Sequence, residues 1–432
     1  MKDKSLTKSI TFNDFKKEIL NDYKTIVISR ETSLLGRKEV LSGKAKFGIF
    51  GDGKELPQIA MAKAFRRGDH RSGYYRDQTF MLALNEISVQ QIFSALYANT
   101  DLKKEPMSGG RQMGSHFMSN YIDEKGDFID STQKYNSSAD ISPTSGQMPR
   151  LLGLAMASKL YRDGSFNSKN FSNNGNEVAW GTIGNASTSE GPFFEVFNAA
   201  GVHQVPMIIS VWDDEYGISV NNSYQTTKSS ISKALHGFKR DKSNKGFEIY
   251  TVDGWDYQSL IQIYEHSSNF CRENHIPILI HVKNLTQPIG HSTSGSHERY
   301  KNKSRLEWEM KYDCNRKMRE WILDNNLSDL SKIEQIEKDC IEFVKSEKKA
   351  AWDDFQKDII VERDSFIKLI KSLVHQYKSK DLAEIANSLL RLKDLGRKDV
   401  MSAARRSLRL ENSFYFFEKI NNWVSDYKKN TQ

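Results

Sequence analysis

The residues of this chain best suited to do chemistry together lie in two short loops and at one histidine. Gly184-Asn185-Ala186-Ser187-Thr188-Ser189-Glu190-Gly191 is a run of small and polar residues between an apolar stretch and a helix pattern. Small side chains let the backbone approach an anion, and the following helix N-terminus offers free N–H groups. Asp214 comes 29 residues after Asn185, within Trp212-Asp213-Asp214-Glu215-Tyr216-Gly217-Ile218-Ser219. Two oxygen-bearing side chains at the ends of two strands can hold one hard cation, and Mg²⁺ takes few protein oxygens together with phosphate oxygens and water. Taken singly, each loop is also an ordinary strand-to-helix turn. His291 stands in a Gly/Ser-rich loop unsuited to a core histidine, which makes it a catalytic candidate. His281, inside an apolar run, reads as structural.

These residues need strands to carry them. Apolar runs at 178–183, 206–212, 247–252 and 276–282 read as strands, and helix patterns occupy 192–202 and 256–273. Pro192 sits in the first turn of its helix, where it is tolerated. Continuous rather than alternating apolar runs predict a mostly parallel sheet covered by helices on both faces, an α/β architecture. Ligands of such sheets bind at the carboxyl ends of the strands, which is where the two loops and the segment leading to His291 begin. Apolar residues at helical spacing (Phe12, Phe15, Ile19, Tyr23) predict helix in an N-terminal segment, residues 1–45. All eight prolines precede residue 289, and the charged stretch beyond has helical periodicity at Ile367, Ile370, Leu373, Val374 and Tyr377. The chain thus reads as a helical segment (1–45), a central domain (46–330) and a helical C-terminal extension (331–432).

Composition limits the alternatives. The 432 residues are 38% hydrophobic, ample for a large core, and the net charge is 63 − 55 = +8 without a dense basic block, which argues against a dedicated nucleic-acid partner. No run of 18 apolar residues is present, which argues against a membrane span. The start of the chain lacks the apolar core of a signal peptide. The three cysteines, Cys271, Cys314 and Cys340, are far apart, as in a reducing compartment. The expected location is the cytoplasm.

The order of seven stretches resembles a known family. They are GYYRDQ (73–78), GGRQMGSHF (109–117), SPTSGQMPRLLGLAMASKL (142–160), GNASTSEGPFFEVFNAA (184–200), WDDEYGISV (212–220), VDGWDYQSL (252–260) and IGHSTSGSHERY (289–300). Together they are similar to the α subunit of the thiamine-diphosphate-dependent first component of 2-oxo acid dehydrogenase complexes, over roughly residues 10–330. The resemblance implies a thiamine-diphosphate-binding fold with Mg²⁺. It implies a metal held by Asn185, Asp214 and the backbone carbonyl of Tyr216, and a cofactor met by Tyr75, Arg76, Ser142, Thr144, Gly184, Asn185, Ala186, Ser187, Asp214, Ile218 and His291. Arg76 would clamp the diphosphate with its guanidinium fork; outside the family context it reads as a surface partner of Asp77. His291 is the catalytic candidate. Glu190 reads as a cap of the following helix.

The sequence departs from the family at the metal loops. The family's metal-binding Asp is Asn185 here, the next Gly is Ala186, and the Asn pair is Asp213-Asp214. Carboxylate and amide have changed places, which leaves the ligand charge unchanged and predicts that a double reversion is tolerated. The literal Asn221-Asn222 lies past the turn, and Gly51-Asp52-Gly53 reads as a plain loop before a helix over 55–65.

The resemblance further implies a β partner that supplies the catalytic glutamate, in a heterotetramer, and a lipoyl-bearing acyltransferase that takes the acyl group. The substrate would be a 2-oxo acid. His291-Ser292-Thr293-Ser294 is more like the branched-chain enzymes (3-methyl-2-oxobutanoate type, branched-chain amino acid catabolism) than the pyruvate ones. A pyruvate dehydrogenase α subunit, a transketolase-like thiamine enzyme and a non-catalytic scaffold are the alternatives. Residues 399–410 resemble the helical connector of fused bacterial α–β forms, and they read equally as an ordinary helical extension.

Overall fold

The computed structural model of the protein describes residues 11–166, 169–410 and 414–431. Eight strands form: β1 (His70–Ser72), β2 (Asn136–Ser137), β3 (Ala179–Gly184), β4 (Met207–Trp212), β5 (Tyr216–Gly217), β6 (Val220–Asn221), β7 (Glu248–Asp253) and β8 (Ile278–Lys283). Six make one sheet in the order β2-β1-β3-β4-β8-β7, with every pairing parallel, and β5 and β6 form a small antiparallel hairpin. The four strands expected from apolar runs are all present. The two short strands β1 and β2 and the hairpin are additions that their polar residues did not announce.

Both faces of the sheet are covered, by two separate apolar cores. The period of two along a strand assigns side chains to faces. On β4, Ile208 and Trp212 join one core, and Met207, Ile209 and Val211 join the other. The first core is completed by α1 (Phe12–Leu41), α2 (Glu55–Ala64), α3 (Gln78–Ala83) and α4 (Val89–Leu96), through Ile19, Tyr23, Ile26, Leu56, Ile59, Phe80 and Ile92. The second is completed by α5 (Met148–Arg162), α6 (Gly191–His203) and α7 (Ile231–Ala234), through Leu151, Phe193, Val196, Phe197 and Ile231. α8 (Tyr257–Asn274) returns to the first face, where Leu260, Tyr264 and Cys271 are fully buried. The N-terminal helix is one 30-residue element in which Ile19 and Tyr23 are buried, whereas Phe12 and Phe15 of the same pattern are exposed.

Four local sequences fix the ends of these elements. Thr11 accepts from the Asp14 N–H at the start of α1, and Asp256 accepts from the Ser259 N–H at the start of α8. Pro192 lies in the first turn of α6, and Gln204 ends that helix in the left-handed region. The chain continues through α9 (Lys303–Lys311), α10 (Cys314–Asp324), α11 (Leu330–Tyr377), α12 (Lys380–Leu390), α13 (Arg397–Leu408) and α14 (Phe414–Thr431).

Two compact units result, Met1–Lys348 and Lys349–Gln432. The boundaries differ from those expected at 45 and 330. Ile19, Tyr23 and Ile26 of α1 share a core with Trp180 and Tyr264, so the N-terminal helix is no separate segment. Ile333 and Cys340 of α11 lie in that same core, which carries the first unit into α11. The second unit has its own core, with Phe366, Ile370, Leu373, Leu382, Val400 and Ile420. The three cysteines are free and buried. Among the described residues, no helix is long and apolar enough to cross a membrane.

Candidate active site

The carboxyl ends of β3, β4 and β8 lie side by side, since Gly184 pairs with Trp212, and Trp212 with Val282. The backbone continues the alignment past the strands. The Asn185 N–H donates to the Trp212 carbonyl at 3.2 Å, and the Asp213 N–H to the Val282 carbonyl at 2.9 Å. A cleft of about 270 Å³ opens there. Its walls include Tyr75, Arg76, Thr144, Gly184, Asn185, Ala186, Ser187, Asp214, Tyr216, Ile218 and His291. Ser142 is not among them: it is exposed, and its hydroxyl meets His116 Nε2 at 3.0 Å. Sequences far apart in the chain are therefore brought to one place by strand order.

The Asp213-Asp214 pair divides its tasks. Asp213 turns to His281, whose Nε2 is 2.7 Å from Oδ2, so the strand histidine is occupied structurally. Asp214 turns to the cleft. Its Oδ1 accepts from the Tyr216 N–H at 3.2 Å, and its Oδ2 accepts from Lys54 Nζ at 2.9 Å. Burial works against the charged form of Asp214, but Lys54 and then Lys301 outweigh it and hold the carboxyl below the usual range. Opposite, the buried amide of Asn185 has no hydrogen-bond partner for its Nδ2. An unpaired buried donor costs about 1–3 kcal/mol, so this amide is poised for a ligand rather than for the fold.

Arg76 is buried, not a surface group. Its Nη1 donates to the Phe50 carbonyl at 2.6 Å, and its Nη2 donates at 3.0 Å to both His291 Nδ1 and the His291 carbonyl. Asp77 is not its partner. That carboxylate binds Arg71 at 2.7 Å, receives Trp212 Nε1 at 3.2 Å, and accepts from the Thr182 hydroxyl. Because a guanidinium is only a donor, His291 Nδ1 must accept, which leaves the ring proton on Nε2. Burial first, then the Arg76 charge, pull His291 down to about 4. The ring is a neutral donor at pH 7, beside a cation that fixes its tautomer.

Several wall residues escaped the sequence reading. Lys54, Tyr74, Trp212, Gly217, Gln225 and Gln287 all line the cleft. Lys54 follows the Gly51-Asp52-Gly53 loop, which is no plain connector: Asp52 is buried and accepts from the Ile289 N–H at 3.0 Å, and burial pushes its carboxyl up to about 6. The only signal was the lysine itself, next to glycines. Glu190 stands at the N-terminus of α6 without making a capping bond, and accepts instead from the Thr144 hydroxyl at 3.4 Å. Asn221 and Asn222 are outside the cleft walls.

Ile218 has φ +56°, a conformation rare for a β-branched residue, and its side chain is exposed. Strain of this kind costs about 1–3 kcal/mol and concentrates at ligand sites. Among the described residues, no group of three or more His, Cys, Asp and Glu side chains could hold a metal. The cleft offers one carboxylate and one amide, oxygen-bearing groups of the kind a small hard ion accepts together with ligand oxygens.

Comparison with known proteins gives a consistent picture. A family model described as "Dehydrogenase E1 component" matches residues 23–359. The chain is 27% identical over 301 residues to the 2-oxoisovalerate dehydrogenase subunit alpha of Bacillus subtilis, covering 68% of this chain and 79% of that one. It is 23% identical over 337 residues to the pyruvate dehydrogenase E1 component subunit alpha of Rickettsia prowazekii, covering 77% and 91%. The protein of the same name from Rickettsia bellii is 25% identical over 199 residues, 46% of this chain and 55% of that one.

Proposed function

The chain belongs to the dehydrogenase E1 component family, and we propose that it is the α subunit of a thiamine-diphosphate-dependent enzyme that oxidatively decarboxylates a branched-chain 2-oxo acid. The observation that carries the reading is the convergence of Asn185, Asp214, Arg76 and His291 on one cleft at the strand ends. The orphaned Asn185 amide donor and the buried Arg76 guanidinium fit a diphosphate.

Each residue then has a task. Asn185, Asp214 and the Tyr216 carbonyl would hold Mg²⁺, a ligand set of oxygens with one negative charge. Arg76, immobilised by Phe50 and His291, presents a guanidinium to the diphosphate. The small residues Gly184, Ala186 and Ser187 admit the phosphates close to the backbone. Tyr75, Thr144 and Ile218 would flank the rings. When bound, thiamine diphosphate would supply the nucleophilic carbon and the electron sink that loss of CO₂ from a 2-oxo acid needs. His291, neutral with its proton on Nε2, donates to oxygen that becomes negative in the reaction without needing to titrate.

The acid–base group is proposed to come from elsewhere. Two carboxylates line the cleft, and both are engaged: Asp214 by Lys54, Glu190 by Thr144. A β partner bearing a glutamate and a lipoyl-bearing acyltransferase complete the reading, in the cytoplasm and as a heterotetramer. The branched-chain assignment rests on His291-Ser292-Thr293-Ser294 together with the similarity to the B. subtilis protein. The test is dye reduction by the chain co-expressed with a β-type partner, with thiamine diphosphate and Mg²⁺. Turnover of 3-methyl-2-oxobutanoate above pyruvate is the expected result. The reverse ratio assigns the pyruvate reaction, and a folded complex without turnover of either refutes the dehydrogenase reading.

A further inference from the structure

Lys54 is the one cation in the cleft wall that no motif assigned. It is 1% exposed, and its Nζ donates to Asp214 Oδ2 at 2.9 Å, Thr286 O at 3.2 Å and Gln287 Oε1 at 3.0 Å. An ammonium has three donors, so all are used within the protein. The acceptors come from the end of β4 and from the segment after β8, and the lysine comes from the residue before α2. The turn that delivers it is specialised. Gly53 has φ +80°, and a Cβ there would run into the Thr286 backbone carbonyl.

We propose that Lys54 is a positioning residue for the cation site: it fixes the Asp214 carboxylate, favours a carboxylate over an amide at position 214, and competes with the divalent ion for it. This deepens the reading of the cleft as a Mg²⁺–diphosphate site and rests on it. A buried ammonium deprived of the one carboxylate it is hydrogen-bonded to is left poorly compensated, with Asp52 the other carboxyl group acting on it, so an amide at position 214 is costly while Lys54 remains. A second cation on the same carboxylate is repelled by the first across a few ångströms of weakly screening protein. The site therefore needs more Mg²⁺ than the same oxygens would without the lysine. It also follows that reverting Asn185→Asp and Asp214→Asn together is not sufficient; Lys54 must be neutralised as well.

The experiment is a thermal-shift measurement on the full chain co-expressed with a β-type partner, with thiamine diphosphate, as a function of Mg²⁺. In Lys54→Met, the Mg²⁺ concentration giving half the shift is expected to fall by about tenfold or more, whereas a merely structural lysine would leave it unchanged or raise it. Lys54→Arg keeps the charge and is expected to keep the wild-type midpoint. Asp214→Asn alone is expected to melt several degrees below wild type, and Lys54→Met/Asp214→Asn to regain most of the loss. An unchanged or higher Mg²⁺ midpoint in Lys54→Met overturns the proposal. If that variant does not fold, the proposal is overturned by a double variant that melts no higher than Asp214→Asn, and supported by one that does. A wild-type complex that responds to no combination of Mg²⁺ and thiamine diphosphate refutes the cofactor reading itself, and with it the role of Lys54.

Discussion

The two compact units both pack around apolar cores but differ in the charge they bury beside them. The core of residues 349–432 is apolar almost throughout: Ile359, Phe366, Ile370, Leu373, Leu382, Ile385, Leu389, Val400, Ala404, Phe416 and Ile420 are buried, and Gln356 and Ser407 are the buried polar residues among those described there. The unit that ends at Lys348 buries charge. Arg71 is wholly enclosed, 2.7 Å from Asp77 and 3.0 Å from Asp140; Arg272 meets Asp69 at 2.7 Å; Lys54 meets Asp214. Burying ions costs several kcal/mol each before any pairing recovers it, so such pairs are poor evidence of stability. Their value here is placement. Asp77 ties β1 to Thr182 of β3 and Trp212 of β4, the two strands whose ends carry Asn185 and Asp214. One unit uses nonspecific apolar packing; the other accepts a costly polar interior that holds a site to a defined geometry.

The comparison breaks most sharply at Asp214. Asp214→Ala strands the buried Lys54, and is expected to cost about 3–5 kcal/mol in denaturant unfolding and to abolish the thermal response to Mg²⁺ and thiamine diphosphate. In the other unit, Phe366→Ala is expected to cost a similar ~3–5 kcal/mol through a cavity alone, with the cofactor response retained. A Phe366→Ala chain that loses that response would remove the distinction between the two regions.

His291→Ala is expected to lower the rate of dye reduction by about 10²–10³, the scale of removing one donor to a developing negative charge. Acid should weaken the two regions unequally. His70, His275 and His291 all lie in the first unit, and burial pulls each down to about 4. The unfolded chain binds those protons near the ordinary histidine value, about 6.5, so the histidine contribution to stability rises with pH from about 4 to about 6.5 and is lost as pH falls through that window, while buried Asp52, pushed up to about 6, offsets part of it. Denaturant midpoints at the two ends of the window measure the loss, and His291→Ala should reduce it. The smallest effect belongs to Arg397→Ala in the helical unit. This arginine is 3.0 Å from Glu362 at a partly exposed position, and its loss is expected to cost under about 1 kcal/mol.

The same contrast explains what the sequence disclosed. Helical periodicity at Ile367, Ile370 and Leu373 corresponds to fully or nearly fully buried positions, because in that unit the apolar pattern is the packing. The strands β3, β4, β7 and β8 were legible for the same reason. β1 was not: His70-Arg71-Ser72 carries no apolar signal, and its interior place depends on carboxylates at 77 and 140 that only the folded chain supplies. At the cleft, the loops 184–187 and 212–218 could be found because each follows a strand directly. Lys54 could not, since its partner lies 160 residues away and nothing in Gly51-Asp52-Gly53-Lys54 marks a buried ammonium. Phe12 and Phe15 show the converse, an apolar pattern extending one turn beyond the packing that it serves.

The cleft at the ends of β3 and β4 is proposed to take a metal-bound thiamine diphosphate. Calorimetric titration of thiamine diphosphate in the presence of Mg²⁺, into the chain with a β-type partner and into the same complex carrying Asn185→Leu, tests it most directly. Asn185 makes no bond to the fold through its Nδ2, so the variant is expected to remain folded. One saturable site is expected in the wild-type complex, with a loss of affinity of about tenfold or more in the variant. Equal binding to both, or none to a folded wild-type complex, would contradict it.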